Sequence, residues 1–129
     1  MEERFDMGVV LWLLKVDDGV AGMIWSIKAK TVRPYYFLLA TNDVHLFDNE
    51  IFSDYRGRGL NTILIEYVLS GLRSMGLVRA FIDTNLRNTA EIRSLAKTSF
   101  NDFGRARKIH FGGRDITIWP KKPYRGRNL

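Results

Sequence analysis

Strand-length apolar runs open the sequence. Leu11 to Lys15 and Val20 to Lys28 are rich in Val, Ile, Leu and Trp, and Asp17-Asp18-Gly19 separates them. Aspartate and glycine accept the positive φ angles that a tight hairpin turn requires. The first part of the chain therefore predicts two antiparallel strands.

A further extended segment follows Pro34, which interrupts the pattern. The short aromatic run Tyr35 to Leu39 leads into Thr41-Asn42-Asp43, whose residue types favour a turn. The stretch Val44 to Phe52 is then long enough to cross a sheet, and we interpret it as the central strand.

The hydrophobic period becomes helical after Gly59. Apolar residues then recur at the i, i+3, i+4 and i+7 positions of one helical face. This stripe consists of Leu60, Ile63, Leu64, Tyr67, Val68, Gly71 and Leu72. Gly76 occupies the position of a helix C-cap, and Leu77 to Ile82 is typical of another strand. A strand, a helix and a strand in succession form a βαβ unit, so the two strands are expected to be parallel.

A shorter helix and a hairpin complete the predicted elements. Asn88 with Glu91 three residues later resembles a capping box at a helix start. The apolar face of that helix would comprise Ile92, Leu95, Ala96 and Phe100. The last runs, Arg105 to Phe111 and Asp115 to Trp119, flank Gly112-Gly113 and predict a β-hairpin. The predicted fold class is α/β, a mixed sheet with helices packed on it.

The size and charge of the chain bound its organisation. A length of 129 residues with 46% hydrophobic content suits one domain, which we place at residues 1–120. Residues 121–129 are basic and follow the last apolar run, so we expect a flexible tail. The net charge of +6 favours a partner rich in phosphate or carboxylate, either a phosphorylated cofactor or a nucleic acid.

Composition also excludes several kinds of chemistry. The chain has no cysteine, which rules out disulfides, thiolate zinc sites and a cysteine nucleophile. The two histidines, His45 and His110, lie far apart in the sequence, so no metal site is expected. We find no secretory signal and no apolar stretch near the ~20 residues of a membrane span, so we expect a cytoplasmic protein that does not enter membranes.

The segment Arg56-Gly57-Arg58-Gly59-Leu60-Asn61 joins the clearest strand to the clearest helix. Its two glycines remove side chains where the backbone N–H groups of a helix N-terminus point outward. These donors and the helix dipole favour an anion such as a diphosphate, and Arg56, Arg58 and Thr62 add charge and a hydroxyl. Neither a triphosphatase P-loop nor a dinucleotide glycine motif is present. The segment therefore predicts a phosphate-binding turn.

Two linked segments carry a family resemblance. Ile51-Phe52-Ser53-Asp54-Tyr55-Arg56-Gly57-Arg58-Gly59-Leu60 resembles the acetyl-CoA-binding segment of the GNAT superfamily of N-acetyltransferases, an apolar strand followed by [Q/R]-x-x-G-x-[G/A]. Asn88 to Phe100 resembles the next helix of that family, in the same order and spacing. The resemblance covers about Val44 to Trp119. It implies a GNAT-like acyl-CoA N-acyltransferase fold, shortened at the N-terminus, in an enzyme that acetylates a primary amine.

The resemblance also implies a set of residues that bind acetyl-CoA. The pantetheine arm would pair with the backbone at Ile51 and Phe52, whose N–H groups would polarise the thioester carbonyl. Asn88 would contact the cofactor arm where the two parallel strands splay apart. The complete set is Ile51, Phe52, Arg56, Gly57, Arg58, Gly59, Leu60, Asn61, Thr62, Asn88 and Lys97.

The sequence departs from the family pattern in several places. Asn61 stands where glycine or alanine is usual, and Leu95 occupies the position where many members carry a tyrosine that protonates the departing thiolate. Only about ten residues precede the first strand, whereas the family has a strand and two helices there that wall the acceptor pocket. Three arrangements stay open: an open acceptor site, a site completed by a second subunit in a homodimer, or a fragment of a longer chain.

Three residues of the central strand are candidates for the general base. An amine must lose its proton before it attacks a thioester, because a lysine-like amine has a pKa near ~10.4. The position of His45 resembles one where several family members place a histidine or glutamate base, and a histidine ordinarily titrates near neutral pH. Strand alternation would put His45 on one face with Asn49, and Asp48 with Glu50 on the other, where they could act through water or bind a cationic acceptor. His45 could equally be a hydrogen-bonded strand residue, and the carboxylates could simply be solvated.

Two other functions compete with acetyl transfer. A CoA-binding module without catalysis is suggested by Leu95 and by the short segment that precedes the first strand. A small basic nucleic-acid-binding protein is suggested by the net charge, but no nucleic-acid-binding motif is present and the aromatic residues fall inside apolar runs. The acceptor, whether a small molecule, an amino sugar or a protein amine, stays undefined because a fold does not name a substrate.

Overall fold

The computed structural model describes residues 9–29, 36 and 38–119. Along the chain the elements are β1 (Val10–Val16), β2 (Gly19–Lys28), β3 (Asp43–Ile51), a short 3-10 helix (Ser53–Tyr55), α1 (Leu60–Ser74), β4 (Arg79–Ile82), α2 (Thr89–Ala96), β5 (Arg107–Phe111) and β6 (Arg114–Ile118). The predicted tail lies outside the described residues, and the described part of the run Tyr35 to Leu39 forms no strand. Neither described helix is long and apolar enough to cross a membrane.

Four strands form the main sheet in the order β1-β2-β3-β4. The first two pairs are antiparallel and β3 pairs with β4 in parallel, which confirms the predicted hairpin and the predicted βαβ unit. The hairpin turn is the two-residue loop Asp17-Asp18, and Asp17 takes the positive φ of 53°. Gly19 instead begins β2, where an added Cβ would collide with the hydroxyl of Tyr55. The space at this glycine is therefore limited by the Tyr55 side chain and not by the turn.

The predicted closing hairpin is also present, but it stands apart from the main sheet. Within the described residues β5 and β6 pair with each other alone, and both turn glycines, Gly112 and Gly113, have positive φ angles of 57° and 77°. Ring contacts connect the hairpin region to β4: Phe103 packs against Phe81 at 5.7 Å and against Trp119 at 5.9 Å between ring centroids.

The main hydrophobic core lies between α1 and one face of the sheet. Its buried residues are Ile24, Val44, Leu46, Leu64, Ile65, Val68, Leu69, Leu72 and Leu77. A smaller cluster of Val9, Trp25 and Ile27 covers the opposite face, with Leu11 and Phe47 packed against it. The two clusters define the α1 face and the far face of the sheet.

The buried face of α1 is rotated from the predicted stripe. Ile63 and Tyr67 belong to that stripe but are 56% and 70% exposed, whereas Ile65 and Leu69 are buried. The helix carries apolar residues around more than half of its circumference, so the i, i+3, i+4 pattern fits two neighbouring faces. Packing against the sheet selects the face that contains Ile65 and Leu69.

The end of α1 sets the start of β4. Met75 is the C-cap, and Gly76 follows it with a φ of 84°. Its N–H donates to the Arg73 carbonyl at 3.0 Å, while the Leu77 N–H donates to the Leu72 carbonyl at 3.2 Å. Both leucines belong to the core, which completes a Schellman motif with its hydrophobic contact. The predicted glycine stop is confirmed, one residue beyond the cap itself.

A bulge interrupts the central strand. Trp25 pairs with Phe47 and Met23 with Glu50, so Asp48 and Asn49 together oppose one residue of β2. Asp48 takes a φ of 48°. The bulge reverses the alternation: Phe47 packs on the far face and Ile51 on the α1 face, although both are odd-numbered. The expectation that His45 and Asn49 share a face is therefore wrong.

A pair of isoleucines tests the rotation of α1. Ile65→Ala should lower the free energy of unfolding by about 2–5 kcal/mol, because it opens a cavity in the core, while Ile63→Ala should cost less than about 1 kcal/mol. Urea denaturation of both variants gives the comparison. Equal losses, or a larger loss at Ile63, would contradict the observed orientation of the helix.

Candidate active site

The predicted phosphate-binding turn lies between the 3-10 helix and α1. Gly57 and Gly59 have φ angles of 79° and 71°, a region that only glycine adopts without strain. Gly59 is the N-cap of α1, and no side chain caps the first N–H groups of the helix. A Cβ added at either glycine would meet no atom within 4 Å. The turn therefore presents unshielded donors and the positive end of the helix dipole to the space in front of it.

A groove of about 540 Å³ runs from this turn between β3, α1 and α2. Most of the predicted cofactor residues line it: Ile51, Arg56, Gly57, Gly59, Leu60, Asn61, Thr62, Asn88 and Lys97. Phe52 and Arg58 are not among its walls. The Arg58 guanidinium instead lies 5.8 Å from the centroid of the Tyr55 ring, and the tyrosine itself lines the groove.

Cations from two elements line the groove. Arg56 Nε donates to the Ile51 carbonyl at 2.8 Å, which holds its side chain at the end of β3, and its Nη2 lies 3.9 Å from Glu50 Oε1. Arg93 of α2 and Lys97, which caps that helix, line the groove as well. Arg93 is not among the predicted residues, although its i, i+4 spacing from Lys97 is a signal that places both on one face.

Glu91 ties three elements together in the groove wall. Asn88 Oδ1 accepts the Glu91 N–H at 3.1 Å, so the predicted cap of α2 is confirmed. The second hydrogen bond of a capping box, from the Asn88 N–H to the Glu91 carboxylate, is not formed. The Asn88 N–H donates instead to the Asn85 carbonyl. The Glu91 carboxylate accepts from Asn49 Nδ2 at 2.9 Å and from Asn61 Nδ2 at 3.5 Å. β3, α1 and α2 are thereby joined by one carboxylate.

The same bridge leaves two buried acceptors in the groove wall. Asn49 Oδ1 and Asn61 Oδ1 are buried and have no hydrogen-bond partner among the described residues. Asn61 also donates to Ser94 Oγ at 2.8 Å, so its amide orientation is fixed. Because buried polar atoms are rarely left unpaired, these oxygens suit a ligand that brings N–H or O–H donors.

The backbone role predicted for Phe52 needs correction. Its N–H donates to the Ala21 carbonyl at 2.8 Å, so that proton is not available to polarise a thioester. The physical reason is that pairing with the β2 side of the sheet continues one residue past the end of β3. The opposite edge of β3 differs, because pairing with β4 ends at Leu46 and Ile82 and leaves residues 47–51 without a strand partner there in the described chain.

His45 lies on the far face, away from the groove. It is 7% exposed, stacks with Phe47 at 5.5 Å between centroids, and places Nε2 3.1 Å from Asp83 Oδ1. A carboxylate oxygen only accepts, so Nε2 carries the proton of this hydrogen bond. Asp83 directly follows β4 at its carboxyl end, where open α/β sheets place ligand-binding residues. That position is the one sequence signal for this residue, which is not among the predicted candidates.

The other two catalytic candidates lie elsewhere. Asp48 is exposed in the bulge of β3. Glu50 is exposed too, lines the cofactor groove and faces Arg56. The structure thus does not bring the three predicted acids and bases together; it pairs His45 with Asp83 and Glu50 with Arg56.

A second cavity of about 300 Å³ lies on the other side of α2, at the end of β4. Its walls include Tyr36, Phe81, Asp83, Phe103 and Trp119. Leu95, at the position of the family tyrosine, lines it as well. Burial raises the pKa of the Tyr36 phenol, and the Asp83 carboxylate raises it further, so this phenol stays neutral at physiological pH.

The mixed sheet with a glycine turn before its long helix defines a known class of protein. Residues 2–100 match the model of the family described as "Acetyltransferase (GNAT) family", and the chain belongs to this family. Comparison with curated proteins gave no match.

Solved structures share the fold at low sequence identity. Bacillus subtilis YycN superposes with a TM-score of 0.62 at 19% identity over 80% of this chain and 62% of its own. The ribosomal-protein-S18-alanine N-acetyltransferase of Escherichia coli gives 0.62 at 18%, over 92% of this chain and 73% of its own. The aminoglycoside acetyltransferase AAC(6')-Ib, solved with coenzyme A and kanamycin, gives 0.70 at 16%, over 90% and 68%. The chain thus spans less than two thirds of YycN.

The hydrogen bonds from Asn49 and Asn61 to the Glu91 carboxylate, which we call the Glu91 bridge, should stabilise the fold measurably. Glu91→Ala should lower the free energy of unfolding by about 1–3 kcal/mol, because it leaves the buried Asn49 amide without its acceptor. Glu91→Gln keeps one acceptor oxygen and should lose less. Urea denaturation of both variants measures the difference, and an alanine variant as stable as the parent protein would show that the bridge contributes nothing.

Proposed function

We propose that this protein transfers an acetyl group from acetyl-CoA to a primary amine of a small molecule or a protein. One observation carries the proposal: within a GNAT fold, Gly57 and Gly59 expose the uncapped N-terminus of α1 to a groove of about 540 Å³. A diphosphate fits this position because unpaired N–H groups and the helix dipole both favour an anion.

The residues of the groove fit coenzyme A along its length. Arg56, Arg93 and Lys97 supply positive charge for its phosphates. The buried oxygens of Asn49 and Asn61 suit the amide N–H groups of its pantetheine arm. The coenzyme A in the AAC(6')-Ib structure supports the choice of ligand. When bound, acetyl-CoA supplies the acetyl group as a thioester and leaves as a free thiol.

The chain itself must take a proton from the amine, and His45 with Asp83 is the pair we assign to this task. Because Nε2 holds its proton in the hydrogen bond to Asp83 and Nδ1 is buried, the imidazole orients the carboxylate, and Asp83 is the group that receives the proton. Asp83 remains 44% exposed at the side chain, so it can also meet an incoming ammonium. Glu50 is less suited because its carboxylate faces Arg56 in the cofactor groove.

A CoA-binding module without catalysis is the second candidate. Leu95 favours it, because a leucine has no proton to give to a departing thiolate. The two candidates share the groove and differ in turnover, so one pair of measurements separates them. CoA binding with no thiol release from any amine would select the module.

Substitution of two arginines tests whether the groove binds CoA. Arg56→Ala should weaken CoA binding by about tenfold, since a charge-assisted hydrogen bond to phosphate is lost, while Arg58→Ala should lose much less. Isothermal titration with CoA gives both dissociation constants, and CoA at 100 times its dissociation constant should add about 2.7 kcal/mol of stability to the parent protein. Absence of CoA binding to the parent protein would reject both candidates.

The base is tested by conservative substitutions at the end of β4 and on the central strand. Asp83→Asn should lower kcat/KM for an amine by about 10²–10⁴-fold, because general-base catalysis is removed. Its affinity for CoA should not change, since Asp83 lies outside the groove. Asp48→Asn and Glu50→Gln serve as matched controls, and free thiol release from acetyl-CoA is the measurement. A large loss at Glu50 with none at Asp83 would reverse the assignment.

A further inference from the structure

The cavity at the end of β4 has an unusual wall composition, and we name it the aromatic chamber after Tyr36, Phe81, Phe103 and Trp119. The four rings form a chain of edge-to-face contacts, with centroid distances of 5.7 Å, 5.9 Å and 6.1 Å. Leu95 adds a branched apolar side chain to the wall. The chamber therefore offers mainly apolar surface with ring edges and faces.

Aromatic rings in this arrangement favour a positive charge. The negative face of a ring attracts an ammonium group placed within about 6 Å of its centroid. Among the described residues, two rings of the chamber already have a cation within this distance: Lys108 Nζ lies 4.4 Å from the centroid of the Tyr36 ring, and Arg79 Cζ lies 5.3 Å from that of the Phe81 ring. A primary ammonium group is thus a ligand that Tyr36 already accepts within the protein.

The carboxylates of the chamber wall are the groups that can accept a cation. Asp83 and Asp102 line it together with Arg105. Asp102 Oδ1 accepts the Gly104 N–H at 3.0 Å. Asp83 contacts His45 through Oδ1 and remains 44% exposed at its side chain. Asp83 is therefore the acceptor best placed to meet an ammonium group.

The dimensions of the chamber limit the size of the ligand. Its 300 Å³ equals roughly ten times the ~30 Å³ that one water molecule occupies in the liquid. A ligand with about ten non-hydrogen atoms, such as one ring on a short linker, matches such a volume.

The position of the chamber relates it to the cofactor groove. The two cavities lie on opposite sides of α2: Ala90, Glu91 and Ser94 line the groove, whereas Ile92, Leu95 and Ala96 line the chamber. Both reach the place where β3 and β4 part, through Asn49 on one strand and Ile82 on the other. An acceptor in the chamber and a cofactor in the groove would therefore approach each other at this gap.

We infer that the aromatic chamber is the acceptor site and that its substrate is a primary amine on a short linker to a single apolar ring. The inference rests on the proposed acetyl transfer and adds the chemical class of the acceptor. The ring of the substrate lies among the four aromatic side chains, and its ammonium group meets Asp83 beside His45.

The test uses 2-phenylethylamine, ethanolamine and 2-phenylethanol, which separate the contributions of the ring and the charge. Isothermal titration of each into the full chain saturated with CoA measures binding without turnover. 2-Phenylethylamine should bind at least about tenfold more tightly than ethanolamine, because only the first buries a ring, and about tenfold more tightly than 2-phenylethanol, which lacks the charge.

Variants connect these affinities to the chamber. Asp83→Asn should weaken 2-phenylethylamine about tenfold and leave 2-phenylethanol unchanged, because only the charge of the site is lost. Ala96→Phe fills the chamber and should remove amine binding while CoA still binds. Ala90→Phe on the same helix is the matched control, and it should weaken CoA and leave the chamber intact. CoA affinity thus shows that the Asp83→Asn and Ala96→Phe variants are folded.

Free thiol release from acetyl-CoA with each amine separates this inference from the proposed function. If 2-phenylethylamine binds in the chamber and no thiol is released, the chamber is an amine-binding site and the proposed acetyl transfer is rejected. If thiol is released equally with ethanolamine, or Ala96→Phe does not alter amine binding, the chamber assignment is overturned while acetyl transfer stands.

Discussion

The ion pair between the buried Asp43 and the partly exposed Arg79 is the contact on which the geometry of both sites depends. Asp43 is 1% exposed and accepts from Arg79 Nε at 2.9 Å, from Arg79 Nη2 at 2.7 Å and from the Ala40 N–H at 2.8 Å. The hydrogen bonds to Asp43 raise the pKa of Arg79, and together with the Ala40 N–H they compensate for the buried carboxylate. The pair fixes the parallel register at the first residue of each strand. Because pairing starts there and ends at Leu46 and Ile82, the divergence of β3 and β4 occurs between the cofactor groove and the chamber.

The bulge at Asp48 lets one strand serve both faces of the sheet. Before the bulge, His45 and Phe47 point to the far face, where Asp83 meets the imidazole. After it, Asn49 bonds to the second helix and Ile51 joins the core under the first. An unbroken strand would have put His45 and Asn49 on the same side. The His45–Asp83 pair and the cofactor groove on opposite faces therefore follow from one extra residue.

Local chemistry made some features of this protein predictable, and tertiary packing decided the others. The turn glycines, the Asn88 cap and the Gly76 stop depend on φ angles and on neighbouring backbone groups, so the sequence reveals them. The rotation of α1 depends on which of two apolar faces meets the sheet. The carboxylate of Glu91 matches a capping pattern, yet it bonds to asparagines that are distant in sequence. A lone aspartate after a strand, such as Asp83, has little local signature at all.

The central claim is that the glycine turn and the asparagines beside it hold coenzyme A. Amide spectra of the ¹⁵N-labelled protein, recorded by NMR during titration with CoA, test it most directly. The account predicts the largest shifts at the backbone amides of Gly57, Gly59 and Leu60 and at the side-chain amides of Asn49 and Asn61. Saturating CoA that leaves these resonances in place, or that shifts only residues on the far face, would contradict it.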